Sequence, residues 1–145
     1  VEEGSGIVLQ ARQLGLNVPI IGGNGFNSPS LIKNAGSAAE GVLIGAAWHS
    51  SSSQPMNKKF VADFTAKYGN PPDQFAAQAF AGVQIACAAI KKAGSTNHKA
   101  IRDALAKTKN LDTVLGKYSF TAGRDADYTP IVQIVKNGKF VVLGE

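Results

Sequence analysis

An apolar run, Val18-Pro19-Ile20-Ile21, passes directly into Gly22-Gly23-Asn24-Gly25 and then Phe26-Asn27-Ser28-Pro29. This is the pattern of a short strand delivering the chain into a loop, and it constrains the fold more than any other stretch. Three glycines let the backbone take positive φ and let another group approach the main chain closely, while Asn24 offers a donor and an acceptor on one side chain. In open α/β sheets, ligands collect outside the carboxyl ends of strands. The tetrad is therefore either a ligand loop or an ordinary strand-to-turn connection, since Gly and Asn are also the common turn residues.

The flanking pattern alternates helix and strand. Residues 4–14 place Ile7, Val8, Ala11 and Leu14 on one helical face, with Gly15 as the stop. Val18–Ile21 then reads as a short buried strand. Ser28 before Pro29 is an N-cap followed by a preset first helical residue, and the helix it starts ends near Gly36. Gly41 to Ala47 reads as a second buried strand. Two helix-strand units in succession predict an α/β fold. A polar stretch without periodicity, Trp48-His49-Ser50-Ser51-Ser52-Ser53-Gln54, reads as a linker.

After the linker the pattern turns helical. A helix over Pro55–Tyr68 turns Phe60, Val61 and Phe64 inward and stops at Gly69 and Pro71-Pro72. A longer one follows from an Asp73 cap to Ala93, rich in small residues that permit close packing, and a third runs from Asn97 to Lys107 with Ile101, Ala104 and Leu105 inward. Residues 111–120 read as extended, and Ile131–Val135, Asn137-Gly138 and Phe140–Leu143 read as a β-hairpin.

Composition narrows the function classes. The chain has 145 residues, 44% of them hydrophobic, enough for one ordinary domain. The longest apolar stretch, Phe75–Ile90, is broken by Gln78 and Gln84 and is too short to span a bilayer, so the chain reads as soluble. It begins with Val1 rather than Met and enters an amphipathic pattern at once, which reads as a fragment or mature segment. The single cysteine, Cys87, excludes an internal disulfide and sits where a buried, inert thiol is expected. The net charge of +5 comes from lysines without interleaved aromatics, so a solvated surface is expected and nucleic-acid binding is not. His49 and His98 lack metal-site spacing, and Arg124-Asp125-Ala126-Asp127 reads as a polar turn rather than a calcium loop. Neither a nucleophile elbow, nor a zinc-protease motif, nor a phosphate loop, nor a dinucleotide fingerprint occurs, so the chain is not expected to be an enzyme or to hold a cofactor.

Gln10-Ala11-Arg12-Gln13-Leu14-Gly15-Leu16, Pro19-Ile20-Ile21-Gly22-Gly23-Asn24-Gly25 and Ala39-Glu40-Gly41-Val42 together resemble the branched-chain amino-acid type of periplasmic solute-binding protein. So do Phe60 to Tyr68 with Pro71-Pro72, Gly116-Lys117-Tyr118-Ser119-Phe120, and the final hairpin. The resemblance runs through essentially the whole chain. It implies an α/β fold of two lobes, parallel sheets flanked by helices, joined by crossing strands and only in part represented here. Residues 1–48 would belong to the second lobe, 49–127 to the hinge crossing and the closing part of the first lobe, and 128–145 to the return crossing and terminal hairpin of the second. It further implies a small solute held by lobe closure, delivery to an ABC-type membrane permease, an extracytoplasmic setting with a lipid anchor if Gram-positive, and an N-terminal part missing from this chain. The same fold also serves as the ligand-binding domain of sensory or regulatory proteins, which is the alternative reading.

By the same resemblance, Asn24 stands where members holding an amino acid's ammonium group carry an acidic residue. Either the ammonium is held elsewhere or the solute has no cation there. Gly23, Gly25 and Phe26 complete that loop. Phe75 matches an aromatic that packs on the solute side chain, or is a core aromatic at a helix start. Glu3 falls in a loop facing the cleft, or is a helix-start carboxylate favoured by the dipole. Trp48 stacks on a solute or packs the crossing.

Overall fold

The computed structural model describes residues 2–144. The chain divides into two compact units, Val1–His49 with Pro130–Glu145, and Ser50–Thr129.

The first unit is a four-stranded sheet with helices. In chain order it holds α1 (Glu2–Gln13), β1 (Ile21–Gly22), a 3-10 turn (Asn24–Phe26), α2 (Pro29–Ala35), a second 3-10 turn (Gly36–Ala39) and β2 (Leu43–Ala46). Strands β6 (Ile131–Lys136) and β7 (Lys139–Val142) return to it, and the sheet order is β1-β2-β6-β7. Ile21 pairs with Leu43 in parallel, while β2–β6 and β6–β7 are antiparallel. Local chemistry explains the boundaries. Ser28 Oγ accepts from Ser30 N–H beside Pro29 at the helix start, and Gly36 ends α2 at φ 55°. Asn137 and Gly138 both take positive φ, 53° and 68°, as the primed hairpin turn requires. The Glu40 carboxylate accepts from both of their backbone N–H groups, at 2.9 and 2.6 Å, tying the turn to the residue before β2.

The core of this unit is Val8, Leu31, Ala35, Ala39, Val42, Ile44, Ala46 and Val135, with Phe26 and Phe140 packed against it. Two sequence expectations give way here. Helix α1 buries Gly4, Ser5 and Val8 rather than the Ile7/Leu14 face, and Leu14 is 80% exposed. Strand β1 is not buried: it is the sheet edge, and Ile21 is 75% exposed. Nothing pairs with it on the far side among the described residues, so a residue with strong strand propensity lies open.

The second unit holds α3 (Pro55–Tyr68), α4 (Gln74–Ala93) and α5 (His98–Ala106), followed by β3 (Leu111–Thr113), β4 (Gly116–Phe120) and β5 (Ala126–Asp127), an antiparallel sheet in that order. The predicted Asp73 cap is present, its Oδ1 accepting from Ala76 N–H at 2.8 Å, and Gly69 and Gly94 close α3 and α4 in the left-handed region. Asn97, read from the sequence as the first residue of α5, stands before it as the cap, its Oδ1 accepting from Lys99 and Ala100 N–H. The serine-rich stretch is held rather than loose. Asn57, fully buried, donates through Nδ2 to Ser50 O at 3.0 Å and Ser52 O at 2.9 Å. Gln84 bridges elements, donating to Met56 Sδ and accepting from Val114 N–H. Tyr118 is buried, which pushes its hydroxyl above the ordinary value, with Tyr128 stacked nearby.

Helix α4 corrects the reading of Cys87. The arc it buries is Gln74, Ala77, Ala81, Ile85 and Ala89, and Cys87 lies on the opposite arc, exposed. That opposite arc carries exposed apolar residues, Phe75, Phe80, Val83 and Ile90, with the Phe80 ring centroid 4.9 Å from that of Phe60 on α3.

Candidate functional site

The carboxyl end of the parallel pair gathers most of the predicted residues of the first unit. β1 runs into Gly23 and the Asn24–Phe26 turn, and β2 runs into Ala47 and Trp48. Helix α1 runs opposite to β1, so its first turn, carrying Glu3, comes to the same end. The Phe26 ring fixes that approach: it lies 3.3 Å from where a Cβ on Gly4 would stand.

The tetrad is built differently from the expectation. None of Gly22, Gly23 and Gly25 takes positive φ. Gly22 is needed for space, because a Cβ there would stand 2.4 Å from the Phe26 ring. The close approach at Gly22 is thus made by the chain's own aromatic. Gly23 and Gly25 face open space, so the loop presents bare backbone there. Asn24 opens the 3-10 turn and is exposed. The turn is closed by Phe26 N–H to Gly23 O at 2.9 Å and Asn27 N–H to Asn24 O at 3.0 Å. Asn27 and Ser28, both buried, anchor the turn from below. Arg12 holds the entry to β1 by donating through Nη1 to the Leu16 and Val18 carbonyls.

Glu3 is exposed, and the hydrogen bond from its own backbone N–H holds its carboxyl below the ordinary range. Trp48 is 6% exposed, so its ring packs inside the unit. Its carbonyl accepts from Gln133 Nε2 at 2.9 Å, and His49 Nε2 lies 3.3 Å from Phe140 O. Gln133 is the residue the sequence reading passed over. It is 1% exposed in the middle of β6, and its Oε1 has no hydrogen-bond partner among the described residues. Its signal was present: it is the one polar side chain within Ile131-Val132-Gln133-Ile134-Val135, on the face that Val135 gives to the core.

Phe75 belongs to the second unit, as the second residue of α4, and is 41% exposed. It is therefore not a core aromatic of that unit. Among the described residues no group of three or more His, Cys, Asp or Glu side chains is arranged to hold a metal, and no helix is long and apolar enough to cross a membrane.

A glycine loop and an aromatic-backed helix start meet at the carboxyl end of parallel strands, the place where open α/β sheets collect ligands. Residues 4–139 match the profile of the family described as Periplasmic binding protein, and the chain belongs to that family, in its branched-chain amino-acid type I branch. It is 32% identical over 129 residues to a Leu/Ile/Val-binding protein homolog of Brucella abortus (strain 2308), a match covering 87% of this chain and 33% of the relative. A leucine binding protein from Thermotoga maritima superposes with a TM-score of 0.89 at 34% identity, covering 97% of this chain and 41% of that one. A branched-chain amino acid transporter substrate binding protein from Streptococcus pneumoniae, solved with isoleucine, gives 0.83 at 34% identity, over 95% and 40%. The chain thus spans about a third of the length of the curated relatives it matches. Its fold is that of the type I periplasmic binding proteins, represented in part.

Proposed function

We propose that these residues form the later part of an extracytoplasmic solute-binding component of an ABC importer, which takes a small amino acid or a related carboxylate or amide. The first unit is assigned to the second lobe and the second unit to the first. The observation that carries this reading is the Gly23–Phe26 turn at the carboxyl end of β1 and β2, with open backbone at Gly23 and Gly25 and the Asn24 side chain at its head.

Asn24 is the residue that hydrogen-bonds the polar head of the solute. A neutral amide there favours a head group different from the ammonium that a carboxylate would hold, because charge-assisted hydrogen bonds are about twice as strong as neutral ones. Phe75 supplies apolar contact to the solute tail, Glu3 flanks the loop, and Trp48 shapes the site from within. A solute touching both lobes stabilises the closed state by its differential affinity, and the closed form is what a membrane permease reads. The two solved structures described above are named for leucine and for a complex with isoleucine, which sets the class to screen first.

A thermal-shift screen of the full-length protein against amino acids, small carboxylic acids and amides tests the reading. A binder present at 100 times its Kd adds about 2.7 kcal/mol of stability, a clear rise in Tm. A screen in which no member of these three classes raises the Tm overturns it.

A further inference from the structure

The charge of this chain is concentrated in one place. Residues 91 to 109 hold Lys91, Lys92, Lys99, Arg102, Lys107 and Lys109 against one acid, Asp103, and so carry the whole net charge of +5; elsewhere nine basic and nine acidic residues balance. The fold brings Lys92, Lys99, Arg102 and Lys107 together. The segment is the last turn of α4, the Gly94 reversal, α5 and the strap into β3, and all six cations are exposed. Lys92 Nζ donates across the reversal to Lys107 O at 3.3 Å. Asp103 lies in the field of Lys99, Arg102 and Lys107, which together with its 2.7 Å bond from Arg102 holds its carboxyl below the ordinary range.

Helix dipoles account for part of this, since Lys91, Lys92 and Lys107 stand at helix carboxyl ends. They do not account for Lys99 in the first turn of α5, where a cation opposes the dipole, nor for Arg102 and Lys109. We infer that this surface of the second unit rests on the anionic phospholipid headgroups of a membrane, by charge alone and without insertion. The chemistry of the patch selects that partner. Five of the six cations are lysines, compact charges that suit a diffuse anionic surface, whereas protein interfaces are enriched in Arg and aromatic anchors and depleted in Lys. No Phe, Tyr or Trp occurs between residues 91 and 109, and Ser95, Thr96 and Asn97 fill the reversal, so there is no wedge to insert and no base-stacking platform. The choice of lipid over nucleic acid rests on the extracytoplasmic reading proposed above. A protein that brings solute to a permease and is held loosely at the bilayer searches a surface instead of a volume.

The test is flotation of the full chain with vesicles of phosphatidylglycerol and phosphatidylcholine against vesicles of phosphatidylcholine alone. Each cation near an anionic surface contributes about 1 kcal/mol, or roughly fivefold in partitioning. The variant Lys91→Glu, Lys92→Glu, Lys107→Glu is expected to lower partitioning by about 100-fold or more, and wild-type binding is expected to fall steeply between low salt and about 0.15 M, where the Debye length is about 8 Å. A control with the same charge change elsewhere, Lys33→Glu, Lys58→Glu, Lys136→Glu, is expected to retain most of the binding. The milder pair Lys91→Gln, Lys107→Gln covers misfolding of the triple variant, with circular dichroism as the check. Equal losses in patch and control variants, equal binding to phosphatidylcholine alone, or equally tight binding to duplex DNA would each overturn the assignment. Solute-induced shifts in Tm on the same samples keep the outcomes apart: a failed flotation with an intact solute shift removes the membrane patch and leaves the solute-binding reading standing.

Discussion

The two units handle apolar surface in opposite ways. The first closes a core around Leu31, Ile44 and Val135 between α1, α2 and the sheet, and its formal charge is balanced. The second carries all of the net positive charge, and its longest helix buries three alanines with Gln74 and Ile85 on one arc while Phe75, Phe80, Val83 and Ile90 lie exposed on the other, along about 22 Å of helix. Helices draw most of their stability from packing an apolar face, and exposed contiguous apolar patches mark surfaces that meet something. The chain spans 41% of its Thermotoga counterpart. On the reading proposed here, Val83 and Ile90 of α4 and the open edge at Ile21 are where the remainder of the longer protein docks.

The comparison predicts its largest effect in the core of the first unit. Leu31 is fully buried, so Leu31→Ala is expected to cost about 2 to 5 kcal/mol of stability. The equivalent truncation on the open arc, Val83→Ala, is expected to stay within about 0.5 kcal/mol in this chain. Urea denaturation of both variants settles the contrast. A cost of several kcal/mol at Val83 would mean that the arc is already covered, and the distinction between the units would fail.

The residues proposed to hold the solute sharpen the comparison next: Asn24 lies in the first unit and Phe75 in the second. Phe75→Ala is expected to weaken binding by about 1.5 to 3 kcal/mol for solutes with apolar tails, and by less for short polar ones. Its exposure predicts little loss of stability, unlike the 3 to 5 kcal/mol typical of a core Phe, about which the melting temperature will decide. Asn24→Ala is expected to weaken binding by about 1 to 3 kcal/mol for all solutes alike, because it removes the partner of the shared polar head. Calorimetry of the two variants against a long and a short solute separates them. The same loss for both solutes at Phe75 would take it out of the tail contact, and unchanged affinity at Asn24 would take that residue out of the site.

Local signals were legible, and long-range ones were not. Ser28-Pro29, Asp73, Gly69 and Asn137-Gly138 each act through neighbours within a few residues, and each stands where its own chemistry requires. The errors concern which face of an element is covered. Ile7 and Leu14, Val18 and Ile21, and Cys87 are apolar residues read as buried, yet hydrophobicity says only that a residue favours burial, not that a partner lies within the same chain. Gln133 was missed for the converse reason. Its role comes from a carbonyl 85 positions away, which spacing along the chain does not reveal. In the candidate site, the loop was recognisable from its glycines, but the reason for Gly22 was not. That reason is the ring of Phe26 folded back over it.

The smallest effect concerns charge in the second unit. Asp103 is exposed, and its carboxyl is held below the ordinary range first by the hydrogen bond from Arg102 and then by the fields of Arg102, Lys99 and Lys107. A carboxyl whose value is depressed on folding contributes stability that is fully present above its unfolded value, and loses it as the pH falls through the folded one. Acidification from neutral pH therefore erodes this contribution only in the acid range below the ordinary carboxylate value. Exposure and screening keep the effect small, so the informative measurement is the titration itself. Carboxyl NMR of Asp103 at low salt is expected to show a depressed midpoint. The Lys99→Gln, Lys107→Gln variant is expected to move it partway back and to leave the larger Arg102 contribution in place. A midpoint unaffected by that variant would mean that the lysines of the 91–109 segment do not act on one another's surroundings, and the contrast between a neutral first unit and a locally charged second one would be arithmetic without a field.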